Sequence, residues 1–572
     1  MVKTKKWVAL LATLTLVGAL FVGCSNSNKS AEGGSTKAPT GSETNANKST
    51  DKPVDGGTLT FSSFSDIVSI NPIYIDNTAS ADAAKFVMAN LYDLDRKGNL
   101  AAEPWSLAAE LPKVSADGKT YEIKLKKEAK WSDGQPVTAD DVIFTIDTFR
   151  NPKAGSPGIG QFDKVDKLEK IDDQTVKITL KQVFAPFQYS LFNQLIPYHV
   201  LKDVKPEDLK NNAYGKDPAK TVTNGTWKWT EWKQKQYLTF EKDPNYWGQQ
   251  PHIDKVVYKI YADQNTEVQA LIKGDVDMVQ AIPVTQVEAV KKKQGLTVLL
   301  APGPQYEYVA FNFKPENFPD KFVPFTGVKT RQAIATALNR EGMINNILKG
   351  TGTKLNAPFL PNTWADPGSA VTEYKYDPEA AKKLLAEDGW VAGSDGILAK
   401  DGHRFSFELQ YNAGNSRRQQ VATVIQQNLK EVGIEVKPKA IDFSSWADNN
   451  LTPGKFPAVL LSWSLNNPDP DGEQTFSSKY FPPNGQNMGW YKNEKLDKLW
   501  VDGYSTVDQA QRKKIYEEVG KEISTDLPYV FLYQYGQPQG LGSRVKFAEA
   551  DAPEASLPYG AFFHIQNWWV TQ

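Results

Sequence analysis

The chain has 572 residues, too many for one hydrophobic core, so more than one lobe or domain is expected. Lys+Arg at 66 against Asp+Glu at 67 leaves a net charge of -1, which argues against the basic excess of a nucleic-acid binder. A single cysteine rules out an intrachain disulfide and a thiolate zinc cluster, and His at 199, 252, 403 and 564 form no paired-histidine motif, so no metal or cofactor is expected.

The N-terminus carries Lys3, Lys5 and Lys6, then an uncharged run from Trp7 to Val22. As a helix that run would span about 24 Å, short of a hydrocarbon core of about 30 Å, and it reads as a signal-peptide segment. It ends Leu20-Phe21-Val22-Gly23-Cys24, which resembles the lipobox of bacterial lipoproteins, with Phe21 where that motif usually has Leu. The resemblance implies cleavage after residue 23 and lipidation of Cys24, so that 1–23 is a lipoprotein signal peptide. Residues 24–55 are rich in Ser, Asn, Thr, Lys and Gly, with almost nothing to bury, and are expected to form a flexible tether. A Gly/Ser-type coil of that length reaches about 30 Å. The folded part should begin at Gly56 or Gly57.

From there short strands alternate with helices, with no internal repeat and no internal membrane-spanning segment. Tyr121, Ile123 and Leu125 alternate as a half-buried strand, and Thr138 with Asp141 forms a capping-box pattern opening a helix. Val176/Ile178/Leu180 and Val256/Tyr258/Ile260 predict further strands, and a helix from about Asn265 to Lys273 should stop at Gly274. Asp377 and Pro378 predict a helix start and Gly389 its end. Phe405 to Tyr411 alternates as a strand, a helical pattern follows from Val421 to Val432, and Ile434 and Val436 resume a strand. Ala458 to Trp463 is nearly continuous apolar chain, the mark of a strand buried on both faces. The loop Ser464 to Thr475 leaves its carboxyl end, where open α/β sheets place ligands.

Motifs of catalysis are missing: no GxSxG, P-loop, HExxH or post-strand GxGxxG can be written. Asn467-Pro468-Asp469-Pro470-Asp471-Gly472 imitates the start of an EF-hand loop, but position 12 would be Ser478 and two prolines restrict the turn. A Pro/Asp/Gly turn is the simpler reading.

Segments spread over some 500 residues resemble the family-5 extracytoplasmic solute-binding proteins of ABC importers, a group that includes oligopeptide-, dipeptide- and nickel-binding proteins. They include Ala102-Glu103-Pro104-Trp105, Asp117-Gly118-Lys119-Thr120-Tyr121, Trp131-Ser132-Asp133-Gly134 through Val142, Thr223-Asn224-Gly225-Thr226-Trp227, Asp243-Pro244-Asn245-Tyr246-Trp247, Val328 to Ile334 and Tyr491 to Asp497. The resemblance implies an α/β fold: a two-lobed, periplasmic-binding-protein-like clamshell with mixed sheets and an extra α/β domain inserted in the first lobe. Carried over, lobe I takes 57–90 with 205–312 and 541–572, the extra domain 91–204, and lobe II 313–540.

The same resemblance implies a binding protein, not an enzyme. It would capture an extracellular oligopeptide between its lobes through main-chain pairing and deliver it to a membrane permease. In the family an Asp three residues after a Trp often pairs with the peptide amine; here the Trp is Trp463 and the position is Asn466, a neutral amide that supplies no counter-charge. The Trp463-Ser464-Leu465 context and His564 to Trp569 look more like a Gram-positive branch associated with longer peptides, with the amine held less tightly or elsewhere. By position the resemblance adds Ser464 for main-chain bonds, Asp469, Asp76 as an acidic cleft residue, Phe443 as an aromatic wall, and Phe531 or Tyr533 near the ligand. A purely structural role is the alternative for each: Trp463 as core or wall, Asp469 as a turn cap, Phe443, Phe531 and Tyr533 as lobe core. The expected form is a monomer, lipid-anchored on the outer face of the cell membrane. Two other functions are carried beside it, an oligosaccharide receptor, suggested by the 15 Trp, and a secreted hydrolase.

Overall fold

The order of strand pairing shows how the chain divides. A computed structural model describes residues 47–571, apart from 76, 301–302, 362, 466–467, 483–484 and 555–559, and apart from the side chains of 443, 444, 447 and 448. Among the described residues a seven-stranded sheet runs in the order Leu296–Leu299, Gln539–Gly542, Met278–Val279, Thr58–Ser63, Lys255–Ile260, Tyr237–Lys242, Trp227–Lys233. A six-stranded sheet runs Gly352–Lys354, Tyr529–Tyr535, Gln305–Phe311, Ala458–Ser464, Ser406–Asn412, Glu435–Ile441. A smaller antiparallel sheet joins Lys113–Val114, Thr120–Lys124, Thr175–Leu180 and Val165–Asp172. Mixed sheets thus form two lobes, and the third sheet lies wholly within 91–204.

Local chemistry sets most of the element ends. Asp141 accepts from the Thr138 backbone N–H at 2.7 Å, closing a capping box at the start of Ala139–Arg150. Asp263 caps Gln264–Lys273, which Gly274 ends in the left-handed region. Asp377 Oδ1 accepts from Ala380 N at 2.9 Å with Pro378 in the first turn of Pro378–Glu387. The helix Ser416–Glu431 is stopped by Gly433 at φ 82°.

The second sheet is covered on both faces because its strands alternate apolar residues on each side. Val309, Phe311, Leu460 and Val530 pack under the helices of one face. Tyr306, Tyr308, Val459, Leu461 and Tyr529 pack with Trp500, Tyr516 and Val519 of the other. The expected doubly buried strand at 458 is fully buried through Leu461 and emerges at Ser464. The first lobe and the 91–204 segment share one continuous core, in which Phe61, Trp227 and Tyr258 belong with Tyr121 and Ile178. Phe562 closes against Phe61 and Phe86 with ring centroids 4.9 and 5.1 Å away, so the C-terminal segment completes that core.

Two positions differ from the sequence reading. Gln305–Phe311, within the stretch assigned to lobe I through 312, hydrogen-bonds between Ala458–Ser464 and Tyr529–Tyr535 of the second sheet. The chain has therefore passed from the first sheet at Leu299 to the second by Gln305, and it returns between Tyr535 and Gln539. Asn47 and Ser49, inside the expected tether, are held on the C-terminal segment: Asn47 Nδ2 donates to Gly542 O and Val545 O, both at 2.8 Å, and Ser49 N donates to Phe547 O at 3.0 Å. Cys24 and the signal segment lie outside the described residues.

Candidate functional site

Both crossings leave the second sheet at one edge. Ser406–Asn412, Glu435–Ile441 and Ala458–Ser464 run parallel, while Gln305–Phe311 is antiparallel to both of its neighbours, Ala458–Ser464 and Tyr529–Tyr535. The carboxyl ends of four strands and the start of Gln305–Phe311 thus lie on the side from which the chain passes to the first lobe. Ser464 is exposed there, Trp463 is half-buried opposite Tyr306, and Leu465 N donates to Pro304 O at 2.7 Å.

Just inside this edge lies a buried charge cluster. Glu307, with no solvent exposure, accepts from Arg418 Nε at 2.6 Å, Arg417 Nε at 2.9 Å and Tyr533 Oη at 3.0 Å. Arg417 lies over the Tyr535 ring, 3.9 Å from its centroid, and Tyr535 Oη donates to Ser462 Oγ at 3.0 Å. Arg418 also reaches Asn412 and Ser462. The pairing register shifts between Glu307 and Tyr308, so Tyr308 faces Phe531 while Glu307 faces Tyr533. That bulge brings the phenol of Tyr533 onto the carboxylate. Burial first, and Glu307 second, push the Tyr533 phenol well above its usual range.

The loop after Ser464 carries a second buried pair. Asp469 meets Arg512 at 2.8 and 2.9 Å, both side chains shielded from solvent, while Arg512 Nε donates to Gly503 O at 2.8 Å. Asp471 N donates to Asp469 Oδ1 at 3.1 Å and Glu473 N to Asp471 Oδ1 at 3.1 Å, the expected Asp-rich turn. Burial, then the neighbouring Asp469 carboxylate, push Asp471 up to about 7. Among the described residues no group of three His, Cys, Asp or Glu is placed to hold a metal ion.

The 91–204 segment touches the second lobe around this loop. Ala185 N donates to Tyr504 O at 2.7 Å, Gln509 Nε2 donates to Asn99 Oδ1 at 2.9 Å, and the Phe184 and Tyr504 rings lie 5.8 Å apart. Between the first lobe and the 91–204 segment lies a cavity of about 300 Å³, which Pro468 of the second lobe also lines. Its walls include Ile75, Lys85 and Asn90 of the first lobe, Gln161, Tyr189 and Asn193 of the 91–204 segment, and Pro468 of the second lobe.

Asn466 and Asp76 lie outside the described residues, and so does the side chain of Phe443, which starts the short helix Phe443–Trp446. Trp463 and Ser464 stand at the inter-lobe edge, and Asp469 turns inward to Arg512. Phe531 is 1 % exposed in one core layer of the second lobe, and Tyr533 is bound to Glu307 in the other. Sequence reasoning did not pick out Lys85, Tyr189, Glu307, Arg417, Arg418 or Arg512. One signal was available: Glu307 is a lone acid in the apolar strand Gln305–Phe311, and a buried carboxylate requires cationic partners.

Comparison with known proteins gives a consistent result. Residues 97–485 match the model of bacterial extracellular solute-binding proteins, family 5 Middle. The chain is 32% identical over 575 residues to the oligopeptide-binding protein AppA of Bacillus subtilis, covering 100% of both. The structure of that AppA in complex with a nonapeptide superposes with a TM-score of 0.69 at 31% identity, covering 91% of this chain and 100% of that one. The ABC transporter substrate-binding protein CtaP of Listeria monocytogenes superposes with a TM-score of 0.74 at 27% identity, covering 91% and 100%.

Proposed function

Because the chain belongs to the bacterial extracellular solute-binding proteins of family 5, we propose that it captures oligopeptides in the inter-lobe cleft and delivers them to the membrane permease of an ABC importer. The observation that carries this reading is the full-length likeness to a protein described as oligopeptide-binding, whose structure holds a nonapeptide. The geometry supports it. Ser464 is exposed at the carboxyl end of Ala458–Ser464, on the side from which the chain passes to the first lobe, and main-chain pairing suits a ligand class whose members all carry N–H and C=O groups. Closure of the lobes around a ligand shifts an open–closed equilibrium, and the permease reads the closed form.

The family works outside the cytoplasm. Among the described residues no helix is long and apolar enough to cross a membrane. Anchoring through a lipid on Cys24, with residues 1–23 removed, is the reading the lipobox-like N-terminus supports. The relatives are solute-binding proteins, and this chain acts by binding alone, as a monomer. Trp463 and Ser464 are the second-lobe contacts of this reading, and Asn466 and Asp76 join them by sequence position, with no counter-charge from residue 466. Mass spectrometry of small molecules released from the purified protein tests the function. A ladder of peptides is expected; a sugar series, or nothing released and no peptide bound on addition, would overturn it.

A further inference from the structure

The charge of the cleft carries an inference about which peptides are taken. Lys85, near the end of helix Thr78–Val87, is half-buried. It lines both the 300 Å³ cavity and a smaller one of about 30 Å³ that Asp93 also lines, with Asn90 and Phe192 shared between the two. Among the described residues no carboxylate comes within 4.0 Å of its ammonium. The two acids nearby are engaged elsewhere. Asp93 accepts from Ser106 Oγ at 2.7 Å and Asn90 Nδ2 at 2.8 Å. Asp82 accepts from Gln280 Nε2 at 2.8 Å, and burial pushes its carboxyl up to about 7, weakening it as a counter-ion.

Among the described residues lining the cleft cavity, Lys85 is the one charged side chain; around it stand the amides Asn90, Gln161, Asn193 and Gln194 and the phenol of Tyr189. Burial pulls Lys85 below its usual range, an effect that Asp93 and Asp82 only partly offset, and its charged form gains once an anion arrives beside it. The amides can complete the remaining hydrogen bonds of a carboxylate, whose oxygens accept only.

We infer that Lys85 is a specificity residue of the cleft, selecting ligands that set a carboxylate against its ammonium. The carboxylate belongs either to an acidic side chain or to the free C-terminus of the peptide. The inference rests on the peptide-binding reading above and adds to it a charge preference.

The test uses the purified full-length protein and synthetic nonapeptides built on an Ala/Ser background, with Gln, Glu or Lys placed at each position in turn. Each is made with a free and an amidated C-terminus, and affinities are read from tryptophan emission or calorimetry. In the unsubstituted protein a Glu peptide should bind about tenfold tighter than its Gln counterpart at one or two positions, or the free acid tighter than the amide. Loss of the gain on amidation assigns the carboxylate to the terminus, and its persistence assigns it to a side chain. Lys85→Met should abolish the discrimination between Glu and Gln peptides and between free acid and amide. Lys85→Glu should turn the preference toward Lys peptides, which gives a readout if the apolar variant misfolds. Equal binding of Glu and Gln peptides and of acid and amide, or discrimination that survives Lys85→Met, overturns the inference. Failure of every peptide to bind the unsubstituted protein would instead remove the functional reading, and this one with it.

Discussion

Replacing Glu307 by Gln should destabilise the second lobe by about 3–5 kcal/mol, the cost of removing one partner from a buried ion cluster. Glu307 has no exposure and receives four donors at 2.6, 2.9, 3.0 and 3.4 Å, three of them guanidinium nitrogens. Hydrogen bonds to a charged group contribute about 1.5–3 kcal/mol each, so the gross interaction of the four is roughly 6–12 kcal/mol. A neutral amide keeps part of it, since its oxygen still accepts from Tyr533. The Arg417 side chain, 26% exposed, regains some water, but Arg418 at 8% does not. The net loss is therefore several kcal/mol and is concentrated on Arg418. Urea unfolding followed by circular dichroism is the assay. With a slope of about 3 kcal/mol/M, the midpoint of the second-lobe transition should fall by about 1–2 M. A second substitution, Arg418→Met, made together with Glu307→Met, should recover most of the loss, because the pair can be replaced by apolar groups of similar volume. A Glu307→Gln protein within about 1 kcal/mol of the parent would refute the view that this carboxylate neutralises buried charge.

Other consequences are open to measurement. Burial pushes both Asp82 and Glu267 up to about 7. The folded chain therefore holds protons that the unfolded chain has released, and stability should rise as pH falls from 8 toward 5. At about 1.4 kcal/mol per pH unit, Asp82→Asn should flatten that rise by a few kcal/mol, readable as melting temperature against pH. A Cβ on Gly225 would stand 2.4 Å from the backbone carbon of Val87, so Gly225→Ala should cost about 1–3 kcal/mol in thermal or urea unfolding. Tyr504→Ala removes the ring that meets Phe184 across the lobes. Loss of an aromatic pair of about 0.5–1.5 kcal/mol should weaken peptide binding roughly two- to tenfold in a fluorescence titration, through the closed form it helps hold.

Much of the local structure could be read directly from the residues. Alternating apolar positions marked Thr120–Lys124, Thr175–Leu180, Lys255–Ile260 and Ser406–Asn412, and Asp, Thr, Pro and Gly at their cap positions marked helix starts and ends. These signals are local: a period of two, or an orphan N–H met by a side chain two or three residues away. The order of many weak segments was enough to indicate the family and its two lobes. The candidate site was legible only in part. The loop after Ala458–Ser464 was located by its place at a strand's carboxyl end, whereas the cavity's charge was not, because Lys85 looks in sequence like one lysine among many on a helix.

Tertiary structure alone decided the long-range relations. Which sheet receives Gln305–Phe311 depends on backbone partners about 150 and 220 residues later, and no property of the strand itself selects between two lobes. The bulge beside Glu307, the Asp469–Arg512 pair and the pinning of Asn47 on the C-terminal segment are likewise contacts between distant parts of the chain. Periodicity specifies which face of an element is buried; only packing specifies what it is buried against.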